Sequence, residues 1–214
     1  MSGALFTAHG LSCARGDRTL FAGLSLELDA GEVLQVRGPN GLGKTTLLRA
    51  LCGLSRPMRG EIRWRGEKVS DLAEDFTAEV AYVGHLNGIQ GDLTAAENLR
   101  LARSIFARRG HAGAGVDEAL DRVGLRAQRD RPSRHLSQGQ KRRLALARLL
   151  ILRRPLWVLD EPFTGLDVAS VANLSSLIGE HVALGGLALV VSHQAFDLPG
   201  IRGFELARYC RTRR

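Results

Sequence analysis

Cysteine is scarce in this chain and poorly placed for structural work. There are three, Cys13, Cys52 and Cys210, an odd number with no C-x-x-C spacing. That excludes a disulfide framework and a cysteine-built zinc site, and leaves incidental or buried thiols. Long hydrophobic runs are also missing. The most apolar stretches, around Leu144–Leu152 and Val182–Val191, fall well short of the ~20 residues a membrane helix needs, and Arg148 interrupts the first. No signal peptide is legible, because the opening segment holds His9, Arg15, Asp17 and Arg18. The expectation is a protein that remains in the cytoplasm. Aromatics make up only 5% of the chain, too few to build a stacking platform for single-stranded nucleic acid.

Acidic residues are outnumbered, 22 against 30 basic ones, for a net charge of +8. Three readings fit such an excess: nucleic acid, an anionic membrane surface, or the arginine preference of a GC-rich genome. The arginines are scattered, with small clusters at Lys141–Arg143 and Arg211–Arg214, and the expectation is that nucleic acid is not a partner. At 214 residues with 44% hydrophobic residues, the chain reads as one domain with room for a subdomain and a proper core. Repeats and low-complexity tracts are absent.

What is present is Gly38-Pro39-Asn40-Gly41-Leu42-Gly43-Lys44-Thr45-Thr46, which fits the phosphate-binding pattern G-x-x-x-x-G-K-[ST]. Glycines let the backbone curl so that successive N–H groups point at one phosphate cluster. Lys44 then reaches the β- and γ-phosphates, and the Thr45 hydroxyl faces Mg²⁺. The setting is right: Val33–Arg37 is a short apolar strand, and the segment from Thr45 to Leu54 reads as an amphipathic helix ended by Gly53 or Pro57.

Elsewhere, Leu24, Leu26 and Leu28 alternate with polar residues, as do Ile62 and Trp64, which predicts an antiparallel β layer beside the P-loop core. Val80–Val83 is a short strand that ends at Gly84-His85. From about Thr94 to Arg134 the pattern is mostly helical, with Leu99, Ala102, Ile105 and Phe106 on one face and a second helix over Val116–Val123, joined by a loop at Gly110–Gly115. Gln138–Arg153 continues as helix with Ser137 as N-cap. Leu156–Leu159 is a buried strand, Val168–Leu184 a helix closed by Gly185-Gly186, and Leu187–Val191 a last strand leading to His193. The fold class expected is α/β.

Leu136-Ser137-Gln138-Gly139-Gln140 precedes Leu156-Trp157-Val158-Leu159-Asp160-Glu161-Pro162 by twenty residues, and Thr164–Asp167 and Val191–His193 follow. These segments resemble, in order, the signature, Walker B strand, D-loop and switch histidine of ATP-binding-cassette (ABC) ATPases. The resemblance covers nearly the whole chain. It implies a P-loop NTPase core with a flanking antiparallel β layer and a helical subdomain at approximately 86–150. It also implies ATP and Mg²⁺ as ligands.

Asp160, at the end of an apolar strand, is placed to hold Mg²⁺ through water opposite Thr45. Glu161 points the other way, to orient or deprotonate the attacking water. His193 ends a strand expected parallel to that of Asp160, where a histidine can bond the γ-phosphate. In the family two domains pack head to tail. The resemblance therefore implies that Ser137, Gly139 and Gln140 serve the nucleotide of a second copy, and that Asp167 lies at the seam.

Two positions depart from the usual pattern. His85 stands where the family carries a glutamine, and reads either as a pH-dependent neighbour of Mg²⁺ or as a plain loop histidine. Arg15 stands near the place of an adenine-stacking aromatic, and reads either as a stacking guanidinium or as a surface arginine. Tyr82-Val-Gly-His85-Leu, Cys13–Phe21, Ala96–Leu99 and Gln140–Leu150 are most similar to the ATP-binding subunits of the cytochrome c maturation haem exporter. That resemblance implies a peripheral protein at the cytoplasmic face of the bacterial inner membrane. It would dock on membrane-spanning subunits and serve haem and a periplasmic haem chaperone only indirectly, since no C-x-x-C-H is present. An ABC subunit for another cargo is the alternative. A chromosome or repair ATPase is disfavoured, because the stretch from His85 to Ser137 is too short for a coiled coil.

Overall fold

Leu156–Asp160 and Leu187–Val191 are buried along their whole length, the mark of strands covered on both faces of a parallel sheet. The computed structural model describes residues 4–106, 113–194, 196 and 198–210. The Arg211–Arg214 cluster and the first half of the Gly110–Gly115 loop lie outside the described residues. The strands are β1 (Phe6–Arg15), β2 (Arg18–Leu28), β3 (Val33–Arg37), β4 (Arg59–Trp64), β5 (Glu67–Lys68), β6 (Val80–Val83), β7 (Leu156–Asp160), β8 (Leu187–Val191) and β9 (Ile201–Glu205). The helices are α1 (Lys44–Leu51), α2 (Val69–Leu72), α3 (Glu74–Thr77), α4 (Ala95–Phe106), α5 (Val116–Arg122), α6 (Gln138–Leu152) and α7 (Val168–Ala183).

Two sheets form, a parallel one ordered β6-β7-β8-β3-β9 and an antiparallel one ordered β2-β1-β4-β5. Helix α1 lies between them. Its Leu47, Leu48 and Leu51 share a core with Phe6, Phe21, Leu24 and Trp64 of the antiparallel layer and with Leu34, Val158, Leu189 and Val191 of the parallel sheet. On the opposite face, α6 and α7 cover Trp157, Leu159 and Val190. A third cluster joins α4, α5 and α6 through Leu99, Leu120, Leu144 and Ile151. The architecture is the α/β arrangement expected, with the P-loop sheet and the antiparallel layer both present.

Several local expectations are corrected. Helix α1 stops at Leu51 rather than Leu54, because Gly53 turns left-handed with φ 73°. Strand β1 was not expected from its pattern. Phe6 and Ala8 face inward, but so do Leu11 and Cys13, because the register shifts between Ala8 and Leu11 and breaks the two-residue period. Strand β9 is mostly exposed and so carries no alternation to read. On α4, Leu99 and Ala102 are buried as expected, but Ile105 and Phe106 are exposed. They fall on the last turn and line a groove of about 580 Å³ with Leu54, Tyr82 and Arg148. Within the Lys141–Arg143 cluster, Arg142 is buried.

Candidate functional site

The site is set by sheet order. Strand β8 lies between β3 and β7, and Val191 pairs with Val36 on one side and Asp160 on the other. Three chain segments therefore leave the same sheet edge together: the glycine loop after β3, Ser192-His193 after β8, and Glu161 after β7. In parallel sheets this carboxyl edge is where ligands sit.

The glycine loop curls through positive φ at Gly38 (146°), Gly41 (80°) and Gly43 (98°). At Gly43 a Cβ would stand 2.9 Å from the Leu20 side chain, so both the conformation and the space require glycine. No side chain caps the N-terminus of α1, which leaves its first-turn N–H groups and the positive end of its dipole for an anion. Lys44 Nζ donates to the carbonyls of Gly38 (2.7 Å) and Pro39 (3.2 Å) and lies 3.0 Å from His193 Nε2. Thr45 Oγ1 donates to Asp160 Oδ2 at 2.7 Å. Asp160 is buried, and its charge adds to the burial that raises the Tyr82 hydroxyl to about 12. Burial, then the same charge, push the Cys52 thiol up.

Glu161 has φ 49°, a left-handed conformation that costs a non-glycine residue roughly 1–2 kcal/mol. Its N–H donates to Val191 O at 2.9 Å. The turn brings Oε2 to accept from His193 N at 3.2 Å, while Oε1 is buried without a hydrogen bond, 3.4 Å from His193 Nε2. His193 Nε2 also lies 2.7 Å from Asn40 Oδ1. A cavity of about 320 Å³ is lined by Asn40, Gly41, Gly43, Lys44, Thr45, Thr46, Asp160 and Glu161, with Arg15, Arg18 and Leu20 as its outer wall.

The remaining sequence candidates are not part of that cavity lining. Leu42 packs against the core and its carbonyl meets Cys210 Sγ at 3.9 Å. His85 is exposed. Ser137 caps α6 as expected: its Oγ accepts from Gln140 N at 3.2 Å and its N–H donates to Gln140 Oε1 at 2.9 Å. A Cβ on Gly139 would stand 2.9 Å from Gly165 O, so the signature and the Thr164–Asp167 loop touch backbone to backbone. Asp167 caps α7 by accepting from Ser170 N at 2.8 Å; the Ser170 hydroxyl first, and this backbone bond second, hold its carboxyl below the usual range.

Sequence reasoning missed Arg18 and Leu20, which only the β1–β2 hairpin brings to the loop. It also missed Arg142. That guanidinium bonds the carbonyls of Gly84, Asp160, Glu161 and Pro162, and its position in a basic triplet hid it.

Comparison with known proteins identifies the family. Residues 21–164 match the family described as ABC transporter. A cytochrome c biogenesis ATP-binding export protein, CcmA, of Methylococcus capsulatus is 50% identical over 94% of this chain and 96% of its own. The CcmA of Haemophilus influenzae is 42% identical over 94% of each chain. A solved ATP-binding cassette, described as a dimer in a post-hydrolysis state bound to ADP and Pi, superposes with TM-score 0.75 at 27% identity over 88% of each chain. A family match over more than half the chain and relatives this similar along nearly all of it show that the chain belongs to the ABC transporter family, as an ATP-binding protein of the cytochrome c biogenesis branch.

Proposed function

We propose that this chain binds ATP with Mg²⁺ in the cavity at the head of α1 and hydrolyses it in a head-to-tail dimer. Dimer closure then drives the membrane-spanning subunits of a haem exporter of cytochrome c biogenesis. One observation carries the chemistry: the Thr45 hydroxyl meets the Asp160 carboxylate at 2.7 Å within the cavity that Lys44 and Glu161 line. Hydroxyl and carboxylate oxygens suit a hard divalent cation. Thr45 and Asp160 would hold Mg²⁺, which would supply positive charge to offset that of the phosphates.

The chain's own groups do the rest. Lys44 exchanges the Gly38 and Pro39 carbonyls for phosphate oxygens, and the N–H groups from Gly41 to Thr46 donate to the same anion. Arg15, on the cavity wall, lays its guanidinium on the adenine. The unpaired Oε1 of Glu161 accepts a proton from the attacking water, and His193 Nε2 turns from Asn40 to the γ-phosphate. Ser137, Gly139 and Gln140 face the nucleotide of a second copy, where the N-terminus of α6 adds its dipole, and Asp167 lies at the seam. The α4–α6 unit, about residues 86–150, acts as a helical subdomain. Exposed His85, on the loop between that unit and the sheet, is the pH-dependent neighbour of the Mg²⁺ site in this reading. The chain works as a peripheral protein at the cytoplasmic face of the inner membrane; among the described residues no helix is long and apolar enough to cross one.

The test uses the full transporter with its haem chaperone. Glu161→Gln keeps ATP binding, lowers phosphate release by ~10²-fold or more, and stops either haem loading of the chaperone or release of the loaded chaperone. Parental phosphate release would remove Glu161 from the mechanism. Arrested hydrolysis with both haem loading and release of the loaded chaperone undiminished would point to another cargo.

A further inference from the structure

We propose that Arg142 is a positioning residue for hydrolysis: it holds the strained Asp160-Glu161-Pro162 turn in the conformation that aims Glu161 into the cavity, and ties that turn to the loop after β6. The inference rests on the reading of Glu161 as the group that handles the attacking water.

Arg142 projects from the second turn of α6 and is buried. Nε donates to Pro162 O at 3.1 Å. Nη2 donates to Asp160 O at 2.9 Å and Glu161 O at 2.8 Å. Nη1 donates to Gly84 O at 2.7 Å and Asn87 Oδ1 at 3.2 Å. A guanidinium has five N–H groups in a rigid fork, and here each has an acceptor. Three of those acceptors are the successive carbonyls of the turn that carries the catalytic carboxylates. The turn needs such support, because Glu161 is left-handed without being glycine and stands before Pro162. Its carbonyls would otherwise be free to rotate, and the side chain with them. No carboxylate touches the guanidinium in this set of bonds, and burial holds its pKa below the usual arginine value. A charge is thus kept in the interior for the sake of backbone carbonyls.

Arg148 supplies the control. It lies on the same helix and bonds the same loop, through Asn87 O at 2.5 Å and Gly88 O at 3.3 Å. None of its bonds reaches the Asp160–Pro162 turn. A residue that merely staples helix to loop should behave like Arg148. A residue that positions Glu161 should act through Glu161.

Lysine at position 142 keeps the charge but cannot serve a fork of acceptors. In the full transporter, Arg142→Lys is expected to lower kcat at least ~10-fold, with the dissociation constant for ATP changed less than ~2-fold. In single-turnover assays, adding Arg142→Lys to Glu161→Gln should leave the residual rate unchanged, because the group being positioned is already gone. Arg148→Lys should leave kcat near the parental value. The inference is overturned if Arg142→Lys weakens ATP binding as much as turnover, if its loss multiplies that of Glu161→Gln in full, or if Arg148→Lys matches it. Should Arg142→Lys not fold, Asn87→Ala removes one acceptor and leaves the arginine. A fall in kcat that vanishes in the Glu161→Gln background supports the role, and an unchanged kcat overturns it. If Glu161→Gln alone left turnover at the parental rate, the reading of Glu161 would fail first, and Arg142 with it.

Discussion

Lys44 and Thr45 are neighbours in sequence, yet they answer to different partners: Lys44 to the carbonyls of its own loop and to His193, Thr45 to Asp160 across the sheet. Helical geometry explains this, since successive residues leave the first turn of α1 in different directions. Lys44→Ala should therefore weaken nucleotide binding and abolish turnover without disturbing the Thr45–Asp160 pair, because the triphosphate then meets only backbone donors. Equilibrium binding of ATP beside phosphate release measures both, and hydrolysis at the parental rate would overturn the phosphate assignment. At this scale the P-loop, Asp160, Glu161 and His193 were legible as motifs. Arg142 was not, because a buried arginine and an exposed one look alike in a run of basic residues, and only the packing of α6 tells them apart.

At the scale of elements, α7 and the strand beside it carry a pH dependence. His181 stacks on Trp157, ring centroids 3.9 Å apart and planes within 5°. Its Nε2 lies 3.1 Å from Pro155 O and 3.2 Å from Leu187 O. Burial holds its pKa down at about 4, from 6.5. Between those values the unfolded chain carries a proton that the fold does not, so stability is fully present above about pH 6.5 and falls as pH drops towards 4. The loss amounts to about 3 kcal/mol at most. Urea unfolding across that range should show a shallower pH dependence for His181→Phe than for the parent, and equal slopes would exclude His181 as its source. Elements were legible where the period was clean: Ser137 as the cap of α6, the alternation of β2, the apolar β7 and β8. They were not where a bulge reset the phase, as in β1, or where an edge strand carried no buried face, as in β9.

The composite site proposed above belongs to the scale of the whole molecule. Lys44, Thr45 and Asp160 meet within one chain, whereas Ser137 and Asp167 are exposed caps away from the cavity lining. If two chains pack head to tail as proposed, Ser137→Arg should leave nucleotide binding to an isolated chain nearly intact and block hydrolysis, since a bulky cation would then stand in the closed dimer seam. Mixed with Lys44→Ala chains, it should form heterodimers that keep one intact composite site, because both lesions then fall on the other. Nucleotide binding by the separate chains, beside ATP-dependent dimerisation in the Glu161→Gln background, reads this out. Loss of binding in the single chain with dimerisation untouched would contradict the head-to-tail arrangement.

The sequence alone determined the chemistry that depends on residue type and short spacing. A phosphate loop needs glycines, a lysine and a hydroxyl within nine residues, and those requirements can be read along the chain. It also determined the order of motifs that marks the family. Tertiary structure decided what depends on distant segments meeting. The strand order set β8 between β3 and β7 and so brought His193 beside Lys44, Asn40 and Glu161. The β1–β2 hairpin placed Arg15, Arg18 and Leu20 on the cavity wall, and α6 buried Arg142 against the Glu161 turn. These contacts join residues far apart in the chain, and no local periodicity or propensity encodes which strand lies next to which.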